Sequence, residues 1–346
     1  MRSDYSATER ILVIEVNWLG DCLFSTPAVR AIRRKSPGAY IAALVVPRCR
    51  EVLLGNNYLD EVMVFDEKGT HRGLWGKIRL IRQLRQRRFS CVYLLRPSLT
   101  RTLCAVLAGI KIRIGFSKRK SGFLLTERVI LPSEKFHRAD QYHYLVAKAR
   151  IPSGDRYCDF FIQDADKDFI KDFLKKHNLG KEGKLVVLHV AGNWRLKLWP
   201  VGHFAVLADQ LSERFGTRVV ISGSVKDEPI ALDVASRCRH KPLVACGQTN
   251  LKQLGALFQR SDMVVSADSG PMHVSVAVGA RTLCLFGPTS SEITGPLGRG
   301  EFRIVRGPQI PCVIPCYNLE CADNICMSQI SVQQVLEEIE HLGWLS

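Results

Sequence analysis

Four loops of this 346-residue chain carry residue types that can do chemistry, and each directly follows an apolar segment. The first loop is Asn17-Trp18-Leu19-Gly20-Asp21, after the apolar run Ile11–Val16. A carboxylate beside a glycine at the mouth of a cleft can approach a substrate hydroxyl and accept its proton. Asp is also a favoured helix cap, and a helix is predicted to follow. Asp21 is therefore a general base or a cap, and its place at a strand end favours the base.

The second loop, Arg195-Leu196-Lys197-Leu198-Trp199-Pro200, follows the predicted strand Leu185–Val190. Two cations at the carboxyl end of a strand can hold phosphates, with Lys197 acting as a point charge. The alternative is a solvated basic loop with no ligand.

The third loop is Ser222-Gly223-Ser224-Val225-Lys226-Asp227-Glu228, again at a strand end. A carboxylate there can accept hydrogen bonds from ribose hydroxyls, as an acidic residue does in dinucleotide-binding folds. Asp227 and Glu228 suit this role equally. Both also suit the N-terminus of the following helix, which favours negative charge.

The fourth loop runs from Ser266 to His273 and contains Asp268-Ser269-Gly270-Pro271-Met272. Small residues and a proline in a first helical turn expose backbone N–H groups and the positive end of a helix dipole, which binds phosphate without a metal. Thr289, in Phe286-Gly287-Pro288-Thr289 after the next strand, is predicted to lie beside this loop. The chain contains neither a P-loop nor a G-x-G-x-x-G fingerprint, which argues against nucleotide hydrolysis and dehydrogenation.

The chain has twelve cysteines, and eight of them are scattered through apolar segments as expected of buried reduced thiols. The other four are clustered at Cys312, Cys316, Cys321 and Cys326. Such a cluster can bind zinc or an iron–sulfur centre, form a redox-sensitive disulfide, or remain as structural thiols. The spacing lacks C-x2-C pairs, so no metal is assigned.

Two further patterns have competing interpretations. Asp164-Ala165-Asp166 looks like a metal–diphosphate motif, but its distance from any strand end favours a carboxylate pair at a helix start. The stretch Gly76–Phe89 is basic, with apolar residues at helical spacing. It either rests on anionic lipid headgroups or packs on its own sheet as a solvated amphipathic helix.

The elements that must position these loops alternate between short apolar runs and amphipathic segments, as in parallel α/β units. The predicted strands are Ile11–Val16, Ile41–Val46, Glu61–Phe65, Cys91–Leu95 and Ile112–Gly115, then Leu185–Val190, Arg218–Ser222, Leu243–Ala245, Met263–Ser266 and Thr282–Phe286. The predicted helices are Ser25–Lys35, Leu74–Arg87, Thr100–Ala108, Ala139–Ala149, His203–Phe215, Glu228–Arg237, Leu251–Gln259, Pro271–Val278 and Val332–Leu342.

A polar stretch, Gln163–Gly183, separates the two sets of strands. We therefore predict a first domain over 1–165, a second domain over 166–330, and a C-terminal helix over 331–346. The predicted architecture is two doubly wound, Rossmann-like α/β domains facing each other across a cleft, where ligands bind beyond the carboxyl ends of the strands.

The charge is distributed unevenly between the halves. Residues 1–150 hold 28 Lys and Arg against 12 Asp and Glu, and residues 151–346 hold 21 of each. The whole net charge of +16 therefore belongs to the first half. This asymmetry indicates an anionic partner such as a nucleic acid, a lipid headgroup or an acidic substrate, unless it is only a soluble basic surface.

Taken together, these motifs resemble glycosyltransferase family 9, the bacterial lipopolysaccharide heptosyltransferases, in order from about residue 10 to residue 342. The resemblance is carried by Leu-Gly-Asp with Thr-Pro-Ala-Val-Arg, Lys-Leu-Trp-Pro, Ser-Gly-Ser with its acidic pair, Asp-Ser-Gly-Pro-Met-His and Phe-Gly-Pro-Thr. The pair Asn17-Trp18 looks more like the heptosyltransferase II branch.

The resemblance implies a GT-B fold and inverting, metal-independent transfer of heptose from ADP-L-glycero-D-manno-heptose to the lipopolysaccharide inner core, with no cofactor. Asp21 would be the base and Lys197 would hold the diphosphate. Asp227 or Glu228 would hold the ribose, and Asp268 would orient its loop or contact the heptose. The donor site would comprise Lys197, Ser222, Gly223, Asp227, Glu228, Asp268, Ser269, Gly270, Met272, His273 and Thr289. The anionic glycolipid acceptor, a lipid A bearing Kdo or heptose, would bind the domain 1–165, and the nucleotide sugar would bind the domain 166–330.

Other functions remain as alternatives. A family 9 transferase could use another nucleotide sugar or glycan acceptor, and a sugar-nucleotide epimerase could share the fold. Nucleic-acid binding is disfavoured because Arg79–Arg88 contains no aromatic residue. The chain has no run of 18 apolar residues and no secretory signal pattern, so a cytoplasmic protein is expected, with peripheral contact to the inner membrane.

Overall fold

The computed structural model describes residues 9–132, 136–152, 154–179, 183–192, 194–308, 310–316, 318 and 320–346. The chain divides into two compact units, Met1–Asp159 and Phe160–Ser346. The predicted boundary at 165/166 falls in the first turn of a helix of the second unit, and residues 180–182 of the predicted linker lie outside the described part. In the described residues no helix is both long and apolar enough to cross a membrane.

The first unit is built on a six-stranded parallel sheet. Its central strands are almost wholly buried, as expected for a parallel sheet covered on both faces. The order β3-β2-β1-β4-β5-β6 is the Rossmann order, so the chain leaves the neighbours β1 and β4 in opposite directions. The strands are β1 (Arg10–Ile14), β2 (Tyr40–Val45), β3 (Glu61–Val64), β4 (Cys91–Leu94), β5 (Ile112–Phe116) and β6 (Glu127–Val129).

The helices in the described part of this unit are α1 (Leu19–Lys35), α2 (Arg50–Leu53), α3 (Gly73–Gln86), α4 (Leu99–Leu107) and α5 (Arg138–Lys148). Helices α1 and α5 pack against each other, and α3 packs beside α4. The core between α3, α4 and the sheet contains Leu12, Leu80, Leu84, Val92 and Ala105.

The second unit repeats the same strand order. Its sheet runs β12-β11-β10-β7-β8-β9, which places β7 and β10 as neighbours at the point where the order reverses. The strands are β7 (Leu185–His189), β8 (Arg218–Ser222), β9 (Leu243–Val244), β10 (Met263–Ala267), β11 (Thr282–Leu285) and β12 (Phe302–Val305).

The helices of the second unit are α6 (Asp164–Lys176), α7 (Val201–Phe215), α8 (Glu228–Arg237), α9 (Leu251–Arg260), α10 (Gly270–Ala277), α11 (Ser291–Thr294), α12 (Ile325–Ser328) and α13 (Val332–Leu342). Val335, Leu336 and Ile339 of α13 belong to the same buried cluster as the β7 and β8 side chains. The predicted C-terminal helix is therefore part of this unit's core.

The structure corrects the sequence prediction at several elements. The first helix begins at Leu19 rather than Ser25, and the edge strands β6 and β12 were missed. Both missed strands are short and carry exposed charged residues, which hides the apolar pattern of a strand. Asp164 and Asp166 lie in the first turn of α6, where Asp166 completes a capping box with Gln163, so the helix-start interpretation is confirmed.

Candidate functional site

The loops that follow β7 and β10 meet where the strand order of the second unit reverses. Lys197, in the single turn Arg195–Lys197, places its Nζ 2.7 Å from Oδ2 of Asp268, the first residue after β10. The Asp268 side chain is 4% exposed and that of Lys197 is 24% exposed. Two residues 71 positions apart thus form an ion pair at the place where α/β sheets bind ligands.

Asp268 has two further partners. Thr289 donates its hydroxyl to Oδ2 at 2.7 Å, and Nε2 of His273 lies 3.5 Å from Oδ1. Burial by itself would raise the pKa of Asp268, but the His273 hydrogen bond and the Lys197 charge outweigh burial and hold that pKa well below its usual range. The Asp268 carboxyl is therefore ionised at neutral pH, and it contacts the turn that carries Lys197, helix α10 and the loop that carries Thr289.

The N-terminus of α10 provides the predicted anion site. Ser269 caps the helix and its hydroxyl accepts from the Met272 amide at 3.2 Å, while the His273 amide donates to the Ser269 carbonyl at 3.3 Å. Pro271 has no N–H. The amides of Met272 and His273 are thus engaged within the turn, so we assign the predicted phosphate-binding role to the amides of Ser269 and Gly270. The Met272 side chain is fully buried, so only the backbone of Met272 belongs to this turn.

The acidic pair after β8 divides into two different environments. Asp227 Oδ2 accepts from both the amide (2.8 Å) and the hydroxyl (2.5 Å) of Ser224, which closes the loop as a capping box. Glu228 begins α8 and is exposed. A Cβ on Gly223 would lie 2.9 Å from the Asp227 Cβ and 2.9 Å from Cys246 Sγ, so only glycine fits this approach. Asp227 shapes the loop, and Glu228 is the carboxylate left facing solvent.

Sequence reasoning missed two groups in this unit. His189 ends β7 and shares a hydrogen bond with the predicted site residue Ser222, with Nδ1 and Oγ 3.0 Å apart. Burial lowers the pKa of His189 to about 4, so its imidazole is neutral at pH 7. Arg306 follows β12 and donates to the carbonyl of Thr289 at 2.6 Å. A cation directly after an apolar run was the available signal for Arg306, but that run was not recognised as a strand.

In the first unit, Asp21 is the third residue of α1, and the N-cap position is Trp18. The cap interpretation of Asp21 is therefore wrong, although the helix dipole still stabilises a carboxylate in the first turn of a helix. Burial raises the pKa of the neighbouring Tyr142, and the charge of Asp21 adds to that rise. The half-buried Asp21 lies at the carboxyl end of β1, where a substrate hydroxyl can approach the sheet.

Below that loop, a buried network that no sequence pattern predicted links the segment after β1 to α4. Arg101 of α4 donates to the Glu15 carbonyl at 2.8 Å and to Asn17 Oδ1 at 2.6 Å. The Glu15 carboxyl is buried, accepts from the Ser25 hydroxyl at 2.8 Å, and leaves Oε1 without a hydrogen-bond partner among the described residues. Burial raises the pKa of Glu15 to about 7, against smaller opposing effects of Ser25, Val16 and Arg101.

The four clustered cysteines lie in the segment between β12 and α13. Cys312 is exposed, the other three are half-buried, and none forms a disulfide. Over the described residues, no group of three or more His, Cys, Asp or Glu side chains is arranged to hold a metal ion. Burial raises the pKa of Cys326, and Cys321, Cys312 and Cys316 add to that rise. Metal binding and disulfide formation at this cluster stay predictions.

Comparison with known proteins places the chain in a family. A sequence model described as glycosyltransferase family 9 (heptosyltransferase) matches residues 77–320. Lipopolysaccharide heptosyltransferase 2 of Escherichia coli strain K12 is 25% identical, over 96% of this chain and 98% of that protein. Lipopolysaccharide heptosyltransferase 2 of Salmonella typhimurium strain LT2 is 26% identical over the same shares, 96% and 98%.

Solved structures agree with that assignment. A family 9 glycosyltransferase from Veillonella parvula matches with a TM-score of 0.88 and 25% identity, over 100% of this chain and 99% of that one. The Escherichia coli ADP-heptose lipopolysaccharide heptosyltransferase II matches with a TM-score of 0.79 and 25% identity, over 97% and 98%. Because the family model spans more than two thirds of the chain, the protein belongs to glycosyltransferase family 9, the heptosyltransferases, and is a glycosyltransferase of GT-B fold.

Proposed function

We propose that this glycosyltransferase transfers heptose from ADP-L-glycero-D-manno-heptose to the lipopolysaccharide inner core, at a Kdo or a heptose of lipid A, with inversion and without a metal. The observation that carries the proposal is the Lys197–Asp268 ion pair at the strand-order reversal of the second unit. Support comes from relatives named as lipopolysaccharide heptosyltransferases and as an ADP-heptose enzyme.

Lys197 is the proposed ligand of the donor diphosphate. An ammonium has three N–H donors, and the bond to Asp268 leaves others for phosphate oxygens. Asp268 fixes the direction of the Lys197 side chain, so the cation is already oriented before ADP binds. This preorganisation lowers the ordering cost of binding.

The leaving group is stabilised at the start of α10 in this proposal. As the bond between the anomeric carbon and the ADP oxygen breaks, negative charge grows on the diphosphate. Amides of Ser269 and Gly270 and the positive helix end meet that charge, together with Lys197. Thr289 lies on the loop after β11 and Arg306 on the loop after β12, where Arg306 donates to the Thr289 carbonyl. These protein groups supply the positive charge that a metal ion would otherwise provide.

The ribose is assigned to the loop after β8. Glu228 is the proposed acceptor of the ribose hydroxyl hydrogen bonds, because Asp227 is already engaged by Ser224. Gly223 allows the loop to pass close to Asp227 and Cys246. Ser222, at the start of the loop, shares a hydrogen bond with the buried His189.

Asp21 is the proposed general base. The acceptor hydroxyl oxygen attacks the anomeric carbon from the face opposite ADP, and its proton passes to the Asp21 carboxylate as the bond to ADP breaks. One displacement inverts the anomeric configuration. Arg101 bonds the Asn17 side chain and the Glu15 carbonyl, which holds the loop that carries Asp21. A cytoplasmic location, with peripheral contact at the inner membrane where a lipid-linked acceptor is presented, is part of the proposal.

The test is a transfer assay with the purified protein, ADP-heptose and a Kdo-bearing or heptosylated lipid A in a strong chelator. We expect an acceptor one heptose heavier by mass spectrometry, with an anomeric configuration opposite to that of the donor by NMR. Transfer from a UDP or GDP sugar, with none from ADP-heptose, would overturn the donor assignment. Activity lost in the chelator and restored by magnesium would overturn metal independence.

A further inference from the structure

The first unit contains a long stretch of single-sign charge, most of which the proposed chemistry does not use. Residues 68–126 hold fifteen Lys and Arg and no Asp or Glu. Of these, Arg101 is buried in the network beside Glu15, and Arg87 pairs with Glu61. The exposed cations lie on α3, at the carboxyl ends of β3, β4 and β5, and ahead of β4 and β5. This many clustered positive charges favour binding to a partner with an extended, negatively charged surface.

Exposed apolar side chains lie within the same stretch. Leu74 is 71% exposed and Trp75 is 79% exposed at the start of α3, and Phe123 is 66% exposed in the turn Gly122–Leu124 after β5. One face of α4 adds Leu99, Leu103 and Leu107 at a spacing of four residues, each more than 40% exposed. Single exposed apolar residues are ordinary, but six on adjoining elements form a patch that calls for a partner.

These side chains are brought together by the fold. Helix α3 packs beside α4, and α4 packs beside the turn that carries Phe123. Arg85 of α3 donates to the Leu107 carbonyl at 2.9 Å and so ties the ends of the two helices. A Cβ on Gly76 would lie 2.3 Å from the backbone of His71, so glycine keeps the first turn of α3 close against its entry loop.

The apolar positions also share an edge of the sheet. Leu74 and Trp75 follow β3, Leu99 follows β4, and Phe123 follows β5, so all four lie at the carboxyl ends of parallel strands. Exposed cations at the same strand ends are Arg72, Arg96, Lys118, Arg119 and Lys120. Asp21, which follows β1, belongs to this edge too.

We propose that α3, the exposed face of α4 and the turn after β5 form a membrane-docking surface that binds an anionic bilayer. The indole, phenyl and leucine side chains enter the headgroup region, and the Lys and Arg side chains around them pair with lipid phosphates. Four of the six exposed apolar side chains are leucines, which favour a bilayer over a nucleic acid, because bases stack on aromatic rings and not on leucine. The surface deepens the proposed function, since it brings the Asp21 edge to the plane where a lipid-linked sugar is presented.

The test is flotation of the purified protein with vesicles of phosphatidylcholine alone or mixed with phosphatidylglycerol. We expect binding to the anionic vesicles only, weakened by salt. Replacing three adjacent cations (Lys118→Gln, Arg119→Gln, Lys120→Gln) should weaken binding by about 100-fold, at about 1 kcal/mol for each cation. The matched control replaces three exposed lysines of α6 in the second unit (Lys171→Gln, Lys175→Gln, Lys176→Gln) and should bind as the wild type does.

A second pair of variants isolates the apolar contribution. Trp75→Ala should weaken binding to anionic vesicles at least tenfold, whereas Leu232→Ala, a 54% exposed residue of α8, should not. All these positions are exposed, and thermal melts will show that each variant folds. Wild-type affinity in both the triple variant and Trp75→Ala would overturn the proposal. So would binding to a single-stranded oligonucleotide without binding to vesicles.

Vesicle binding and heptose transfer can fail independently. The vesicles contain neither donor nor acceptor sugar, so flotation reports on the surface alone. Normal flotation without any transfer would overturn the proposed function and support the surface. Transfer to lipid A in detergent without flotation would support the proposed function and overturn the membrane-docking surface.

Discussion

The two units share one strand order but differ in charge at the point where that order reverses. In the second unit Lys197 pairs with Asp268, a carboxylate whose pKa is held well below its usual range. In the first unit Arg101 is held by a carbonyl and an amide oxygen, and the buried Glu15 has a pKa raised to about 7. Where the strand order of the second unit reverses, the Lys197–Asp268 pair is charged at neutral pH. Where the strand order of the first unit reverses, the buried Glu15 carboxyl changes its charge near pH 7.

The difference follows from what each point is proposed to bind. A diphosphate needs a fixed cation, and the Asp268 carboxylate holds Lys197 in place through an ion pair. An acceptor hydroxyl needs a base close by, and fixed anions around Asp21 would repel the proposed acceptor, an acidic glycolipid. A buried carboxyl with a pKa of about 7, such as Glu15, adds only part of a negative charge at neutral pH.

Asp21→Asn should have the largest effect. We expect kcat for heptose transfer to fall by about 10³-fold, because the attacking hydroxyl loses its base. ADP affinity should stay within about twofold, because ADP is assigned to the second unit. Steady-state kinetics and calorimetry measure the two quantities. Asp155→Asn, an exposed carboxylate of the same unit, is the matched control. Comparable turnover in Asp21→Asn would remove Asp21 from the base role.

Glu15→Gln should change how the stability of the fold depends on pH. In the unfolded chain Glu15 ionises near its ordinary pKa of 4.5, whereas the folded chain keeps this proton up to about pH 7. Stability from the protonated form is therefore complete below about pH 4.5 and lost as pH rises towards 7, by about 3 kcal/mol. Urea unfolding at pH 5 and pH 8 should show this loss in the wild type and less of it in Glu15→Gln.

The control for that comparison is Glu127→Gln, an exposed residue of β6, which should keep the wild-type pH dependence. If Glu15→Gln also kept it, the buried carboxyl would be ionised in the folded protein, and the contrast between the two reversal points would disappear.

Asp268→Asn tests the charged site of the second unit. Removing the charge leaves Lys197 without its partner and should lower the free energy of unfolding at pH 7 by about 2 kcal/mol. Because folding lowers the pKa of Asp268, this stabilisation is complete above the ordinary Asp pKa of 3.8 and is lost only as pH falls through the much lower pKa of the folded state. The difference in stability between wild type and variant should therefore begin to narrow below about pH 3.8. Asp233→Asn, in an exposed pair with Arg237, should change stability far less.

Much of the candidate site in the second unit could be predicted from sequence, because its signals lie in short, continuous segments of the chain. The runs that became β7 and β10 are apolar and are followed by polar loops, so Lys197 and Asp268 were each placed at a strand end. Ser269 was recognisable because a small residue before Gly-Pro is typical of a helix start.

What escaped prediction depends on contacts between distant segments. The Lys197–Asp268 bond joins residues 71 positions apart, and the Arg101–Asn17 bond joins residues 84 apart. No periodicity in the chain reports such contacts. Arg306 was missed because its strand, β12, is short and half-exposed, so its apolar pattern is weak.

Thr289→Val tests the smallest contribution to the charged reversal point. The substitution keeps the shape of the side chain and removes one hydrogen bond to Asp268, so unfolding should become easier by about 1 kcal/mol. Thermal or urea unfolding measures the change. A loss as large as that of Asp268→Asn would mean that Thr289, and not Lys197, is the main partner of this carboxylate.

The most direct test of the central claim is calorimetric binding of ADP, without added metal, to the wild type and to Lys197→Ala. We predict that the wild type binds and that the variant binds about 100-fold more weakly, because a charge-assisted phosphate contact is lost. Lys171→Ala, on α6 of the same unit, is the control and should bind as the wild type does. Equal ADP affinity in Lys197→Ala would contradict a diphosphate site at the Lys197–Asp268 pair.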